Sequence, residues 1–436
     1  MEQQRMSDSE WENFLRKEMS GGVNRKVDYG VTVENKIFTE TFLYQGSVGI
    51  TFKNCVFSEK ITLLSCTPSS DIFMMHCVFK KEIFFGDIVS EEKIVFLDCS
   101  MEENAIFSGL QVSRLELNVR YAKHIIFSEK SGIGHIQIGG KDRNKYGKIY
   151  LPASVGTKRI EINHTEIDDL YMSSSTLECE LAVVNTNLTT LTLDNFRNGG
   201  SLKFLNCKAS QAADASILIN QSNLGKAEFF RFDFSSFSKI NITNSVIYES
   251  VFVNCVWART NMASEVIHFS PTLNTKEESA ERALAQNKRD VYKQIKTAFA
   301  RQGDYVQEQF FHGLEMNQYY RSLSFRDDFW TKIILRLSYL TSDYGQSLAR
   351  PVVSILIVNL LLYFTMFTLN STEYTSVDCT KFSNYVNTAA SLLNFMNPLH
   401  KTDNLSGAPF IIDSLSRVFS SYMIYNIIRS TRRFVK

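Results

Sequence analysis

Proline is scarce in this chain, with 6 among 436 residues, while 12% of residues are aromatic. A sequence so poor in proline and so rich in rings is not a disordered linker. Neither sign of charge is in excess: 47 Lys and Arg against 46 Asp and Glu leave a formal net charge of +1. That balance excludes a nucleic-acid binder held by bulk positive charge, so no nucleic-acid partner is expected. It equally excludes a solenoid that mimics DNA through a strongly acidic surface. The opening stretch MEQQRMSDSEWENFLRKEM has no apolar run, so no signal peptide is read there.

Signatures of chemistry are missing too. No C-x-x-C and no Cys/His cluster occurs, so no metal site and no cofactor are expected. No G-x-S-x-G or H-E-x-x-H is present. The seven histidines (His76, His124, His135, His164, His268, His312, His400) have no Cys or carboxylate partner at metal or nucleophile spacing. The carboxylates of EIDDLY (166–171) are of the type that polysaccharide-cleaving β-helices cluster, but solvated turns account for them better. The glycines of SGIGHIQIGGKDRNKYG (131–147) lack the strand-to-helix context of a phosphate cradle and mark a loop or a bulged coil. No catalytic residue is named, and the chain is read as a non-enzyme.

What is present is a period of five. From Phe230 to Trp257 every fifth residue is large and apolar: Phe232, Phe237, Ile242, Ile247, Phe252, Trp257. Two positions before each stand Phe230, Ser235, Ile240, Ser245, Ser250 and Cys255, which are expected to point into the coil with them. Five is the period of neither a helix nor a strand. It fits a chain that turns a corner every five residues, as in a four-sided parallel β-solenoid. The same signature recurs upstream in FKNCVF, HCVF and FLDC, whose cysteines Cys55, Cys77 and Cys99 stand 22 residues apart, and again in FLNC and FVNC. At least five of the eight cysteines occupy inward positions, where a small side chain fits, and a reducing cytoplasm suits them better than disulfides.

These residues resemble bacterial pentapeptide-repeat proteins, whose repeats follow an A-(D/N)-L-x-x or (D/N)-C-x-F theme. The match is good over 225–257 and patchy over 37–224. The resemblance implies a mainly-β fold, a right-handed parallel β-helix, over residues 37–262. At about 20 residues per coil this is roughly 11 coils and a rod on the order of 50 Å. Residues 1–22 read as a capping helix, with Ser7 and Glu10 as capping box and Trp11, Phe14, Leu15 and Met19 as apolar face.

After 276 the pattern becomes helical. Residues 276–341 read as a hairpin followed by an amphipathic helix. Leu284, Val291, Ile295, Ala298 and Phe299 give the first helix, Gly303 the break, and Val306, Phe310, Leu314 and Tyr319 the second. The phrase VYKQIKTAFARQGDYVQEQFFHGLEM resembles a segment that joins pentapeptide-repeat domains to membrane regions. In the third helix Phe329, Trp330, Ile333, Ile334, Leu337 and Leu340 face one way and Lys332 and Arg336 the other, the pattern of an interfacial helix anchored by Trp330, Lys332 and Arg336. Residues 351–370 are uncharged from Val352 to Leu369 and long enough to span a bilayer. A second span is read at 410–430, with Asp413 and Arg417 four apart and able to pair. Between them, 371–409 is read as an extracytoplasmic loop holding a short re-entrant or interfacial helix at 385–398.

Lys332, Arg336 and Arg350 precede the first span, and Arg429, Arg432, Arg433 and Lys436 follow the second. This asymmetry puts the solenoid and both termini in the cytoplasm of an inner-membrane, multi-pass protein. Asn359, Asp413 and Arg417 are the membrane-embedded polar candidates. The expected function is a cytoplasmic sensing or docking solenoid coupled to a two-span module that forms a pore or disrupts the bilayer. Its partners are membrane lipid, further copies of itself and a protein or trigger on the solenoid. The layout resembles membrane effectors of anti-phage defence. A passive membrane-anchored scaffold is the alternative. A soluble gyrase-protecting solenoid and a β-helix hydrolase fit less well.

Overall fold

The computed structural model describes residues 4–6, 31–47, 49–128, 131–151, 157–212, 214–258, 277–368, 382–400 and 407–431. The chain divides into two compact units, Met1–Thr272 and Leu273–Lys436.

The first unit is a parallel β-solenoid of about ten turns. Its first wall is a continuous ladder in which Val33, Phe52, Met74, Phe96, Leu117, Ile138, Ile162, Val183, Phe204, Phe229 and Phe252 lie directly above one another. All of them are buried. One coil takes from 19 residues (Val33 to Phe52) to 25 (Phe204 to Phe229). Aromatic rings stack face to face between successive coils, as at Phe204–Phe229 on this wall (5.2 Å) and Phe57–Phe79 on the second (5.1 Å), close to the spacing of paired strands. A fourth wall is narrow: it consists of the paired strands Thr176–Leu177 and Arg197–Asn198 and of single bridges such as Val89 with Gln111 and Asn223 with Val246.

The corners explain the sequence signature. Two residues after the first-wall ladder the chain enters the left-handed region at Asn35, Asn54, His76, Asp98, His164, Asn185, Asn206, Arg231 and Asn254, with φ between 50° and 55°. Asn and Asp dominate because their short polar side chains tolerate that conformation best after glycine. At most of these corners the next residue turns inward and is small, with Phe232 after Arg231 as an exception. Cysteine fits, and its thiol donates to the carbonyl oxygen of the coil before: Cys55 to Val33 (3.5 Å), Cys99 to Met74 (3.2 Å), Cys255 to Phe229 (3.2 Å). Ser222 and Ser245 play the same part on the third wall, donating to Leu193 and Ile219. The seven described cysteines are free thiols.

Three expectations need correction. Residues 4–6 are not helical: Gln4–Met6 is a strand that pairs in parallel with Lys36–Phe38, so a strand extends the second wall there. The remainder of the expected capping helix, with Trp11, Phe14, Leu15 and Met19, lies outside the described residues. On the first wall stacking begins at Val31, before position 37. The five-residue step also slips near its start. Phe232, Phe237, Ile242, Ile247, Phe252 and Trp257 are all buried, but a 3₁₀ turn at Phe234–Ser236 lengthens that coil. There Phe229 and not Phe230 faces inward, and Ser235 is exposed. The stretch 131–147 is bulged as expected: register is lost between Gly139 and Asn144 within the strand His135–Tyr150.

The second unit is helical: α1 (Glu277–Gln302), α2 (Tyr305–Ser322), α3 (Phe329–Ser342), α4 (Ala349–Thr368), α5 (Phe382–Met396) and α6 (Ala408–Thr431). Gly303 at φ +74° ends α1, and the Asp304 carboxylate accepts from the Gln307 amide to start α2. The hairpin core is Tyr292, Ile295 and Phe299 against Phe311, with Phe299 and Phe311 stacked at 5.6 Å. Val306, expected in this core, is 52% exposed. Helix α3 runs into α4 through three successive left-handed residues, Asp343, Tyr344 and Gly345.

Two outcomes test the solenoid. Phe229→Asp buries a charge in the ladder and should lower stability by about 4 kcal/mol or more, whereas Phe230→Asp should change it by about 1 kcal/mol at most. Urea midpoints read the difference, and equal losses would contradict the inward assignment. Burial pushes the thiols of Cys207 up to about 12 and Cys255 up to about 11, so both should resist iodoacetamide at neutral pH until the chain is unfolded. Because the fold favours the protonated thiols, their contribution is complete below the ordinary thiol range. It is lost as pH rises from about 9 through about 12, which base titration of stability checks.

Candidate functional site

Helices α4 and α6 pack together with α5, and their polar residues form two buried clusters on neighbouring turns of α6. Asn359, in the middle of α4, is fully buried. Its amide donates to Ser420 Oγ (3.0 Å) and to the Ile355 carbonyl (2.8 Å), and its Oδ1 accepts from Ser416 Oγ (2.5 Å). Ser416 and Ser420 lie one turn apart on α6, so a single amide clamps two successive turns of the neighbouring helix. Ser416 also reaches the Phe395 carbonyl at the end of α5 (3.3 Å).

One turn before Ser416 on the same helix lies Asp413. Its Oδ1 is 2.8 Å from His400 Nε2, and its Oδ2 is 2.9 Å from Arg417 Nε. The guanidinium reaches past the carboxylate to donate to the His400 carbonyl (2.7 Å), and His400 Nδ1 meets the Asn397 carbonyl (2.6 Å). The His400 and Asp413 side chains are 1% exposed, and Arg417 is 29% exposed. A carboxylate here has a cation on one side and an imidazole on the other, which is how a buried charge is tolerated.

The pairing of Asp413 with Arg417, expected from their spacing, is present. Asn359 lies in the neighbouring buried cluster, bonded to Ser416 and Ser420 of the same helix α6. His400 is the residue that sequence spacing missed. No spacing rule links it to Asp413, 13 positions on, and the two meet only in the folded helical unit. Other histidines also find carboxylates: His76 with Asp98 (2.9 Å), His135 with Glu161 (3.7 Å) and His312 with Glu315 (3.8 Å). The EIDDLY carboxylates point outward, and Asp169 pairs with Lys148 at 3.1 Å. Among the described residues no group of three or more His, Cys, Asp or Glu side chains is arranged to hold a metal ion.

A further cluster ties the far end of α6 to the hairpin. Arg429 donates to His312 Nε2 (2.9 Å), and Lys296 of α1 pairs with Glu315 of α2 (2.6 Å). Burial raises the Glu315 carboxyl, but hydrogen bonds from His312 and Lys296 and the Lys296 charge outweigh it and hold the group below the usual carboxylate range.

The expected interfacial anchors lie on α3. Trp330 (74% exposed) and Ile334 (63%), with Phe329, Leu337 and Leu340, leave an apolar face uncovered within this unit. Lys332 lies over the Tyr320 ring (5.2 Å) and Arg336 near that of Tyr339 (5.8 Å).

By length and composition, one described helix is apolar enough to cross a membrane, over Ala349–Met366, with mean hydropathy 1.7. Helix α6 does not meet that measure, because Asp413, Arg417, Arg429 and its serines and Asn426 lower its average. Compared with known protein families, with curated proteins and with solved structures, the chain finds no match.

Removing one member of the buried pair should be worse than removing both. Asp413→Ala leaves His400 and Arg417 without a counter-charge and should lower stability by about 3–5 kcal/mol. Asp413→Leu combined with Arg417→Met should recover at least about 1 kcal/mol of what the separate losses sum to. Thermal unfolding in detergent gives the cycle, and strict additivity would mean that the two groups do not interact.

Proposed function

We propose that α4 and α6 cross a bilayer, that α3 lies in its interface, and that this module forms a pore or a membrane-disrupting unit governed by the solenoid. The observation that carries the reading is the inverted polarity of α6. Its buried positions are Asp413, Ser416, Ser420, Met423, Asn426 and Ser430. Its exposed positions are Phe410, Ile411, Leu415, Val418, Tyr422, Ile424, Tyr425 and Ile428. A helix in water hides its apolar side. A helix in lipid does the reverse, since each isolated charge facing hydrocarbon costs on the order of 3 kcal/mol. Helix α4 has the same outward surface, with Val353, Ile357, Leu360, Leu361 and Phe364 exposed and Asn359 buried.

In this reading both spans place the solenoid on the cytoplasmic side, and several copies assemble through the exposed faces of α4 and α6. The solenoid belongs to the right-handed pentapeptide-repeat class. Its left-handed Asn and Asp corners followed by Cys, Ser or Thr support that assignment. It docks a protein or another trigger, as in membrane effectors of anti-phage defence. One observation favours the second reading, a passive anchored scaffold: Asn359, Ser416 and Ser420 satisfy one another, as inert helix packing requires.

Membrane potential in cells decides between them. Induced full-length protein should depolarise the membrane rapidly, and a truncation after Thr341 should not. Full-length protein that is verified in the membrane and leaves the potential intact, even when its solenoid is engaged, would leave the anchor as the function.

A further inference from the structure

The contacts of His400 demand one more proton than a neutral imidazole and an ionised carboxylate hold between them. Nδ1 is 2.6 Å from the Asn397 carbonyl oxygen, and Nε2 is 2.8 Å from Asp413 Oδ1. A carbonyl oxygen only accepts, so Nδ1 carries a hydrogen. An ionised carboxylate also only accepts, so Nε2 then carries a second hydrogen and the ring is an imidazolium. The alternative that satisfies both contacts puts the hydrogen on Asp413, which donates to a bare Nε2. The two arrangements have the same composition: one extra proton held by the pair.

The surroundings are specific. On α6 the charged neighbour is Arg417, 2.9 Å from the other carboxylate oxygen. Helix α5 contains no charged residue, and α4 contains none after Arg350. On α4, Asn359 bonds Ser416 of α6, and the Tyr363 ring contacts Phe395, whose ring lies beside the imidazole. With the ring and the carboxylate shielded from solvent, no bulk water is on hand to replace a lost hydrogen bond.

We infer that His400 and Asp413 form a proton-binding site whose occupancy latches the turn after α5 onto α6. When the proton departs to solvent, a neutral imidazole and an ionised carboxylate remain. One of the two acceptors then faces a nitrogen lone pair at under 3 Å. That contact becomes repulsive and the side-chain bridge opens, while Asp413 and Arg417 stay as a neutral pair on α6. The site stands on hydrogen-bond chemistry within the helical unit and does not require that the helices enclose a pore.

Full-length protein labelled with nitrogen-15 histidine and carbon-13 aspartate, in lipid bilayers, tests it by solid-state NMR between about pH 5 and about pH 9, the range in which histidines change charge. His400→Gln and Asp413→Asn identify the two signals. The expected result at the acid end is an imidazolium, or a neutral ring with Nδ1–H beside a carboxylic acid at Asp413. At the alkaline end a neutral ring beside an ionised carboxylate is expected. A neutral ring beside ionised Asp413 throughout the range overturns the site. A proton that is never released overturns the latch. Spin labels at Leu393→Cys and Leu415→Cys, in a Cys379→Ser background, read the movement. Their separation should grow with pH in the otherwise native chain and stay constant with His400→Gln, and a constant separation in both overturns the latch.

Discussion

Along the walls of the solenoid the backbone amides find their partners one coil away, and this requirement organises the first unit. A parallel ladder tolerates no free choice of register, because a slip of one residue would turn the inward side chains outward. The left-handed corner is what keeps successive coils in step. Asn54 donates its amide to Met75 and Asn206 to Phe230, so the corner residue bends the chain and also makes the next rung. Corner side chains add their own ladder, as where Asn206 donates to Asn185 (2.6 Å). The inward thiols and hydroxyls follow from the same geometry, since the position behind a corner faces a carbonyl of the coil before, although Phe232 fills it behind Arg231.

Helices α4 and α6 have the opposite arrangement. Their buried side holds hydroxyls, an amide and a charged pair, and their exposed side is leucine, isoleucine, valine and rings. Polar wiring of this kind fixes which turn of one helix meets which turn of another, because each group is satisfied in one alignment only. Asn359 is the hinge pin of that alignment. Gly345, at φ +90° in the turn before α4, leaves room for the Arg429 side chain, whose Nε would lie 3.2 Å from a β-carbon there. That is how the end of α6 comes to rest against the hairpin.

How much of this was legible depended on how regularly the corners fall. Between Ile240 and Trp257 they are five residues apart and the solenoid can be read directly. Farther upstream, long strands such as Lys93–Ser108 run through the corners with bulges at Leu97/Cys99 and Met101/Asn104, and these erase the period. Cys55, Cys77 and Cys99 survive as markers because the space behind their corners stays small whatever the strands do. Phe229 and Phe230 are chemically identical, so only the inserted 3₁₀ turn decides which one is buried. In the helical unit, the i, i+4 spacing made the Asp413–Arg417 pair readable. The bonds of Asn359 to residues 57 and 61 positions away, and of Asp413 to His400, are products of tertiary packing and leave no local trace.

The direction of the coil-to-coil hydrogen bonds has a mechanical consequence. They run along the stacking axis, so tension applied from the first coil to the last loads one rung at a time, whereas a force across the stack loads many rungs together. Each rung is a handful of bonds on four walls, held independently of distant rungs because coils touch only their neighbours. Stretched lengthwise, the solenoid therefore peels in steps, and each released coil of 22 residues, such as that from Cys55 to Cys77, lengthens the chain by roughly 70 Å. A domain with this anisotropy yields gradually to a pull along its axis and stands stiff against a push from the side.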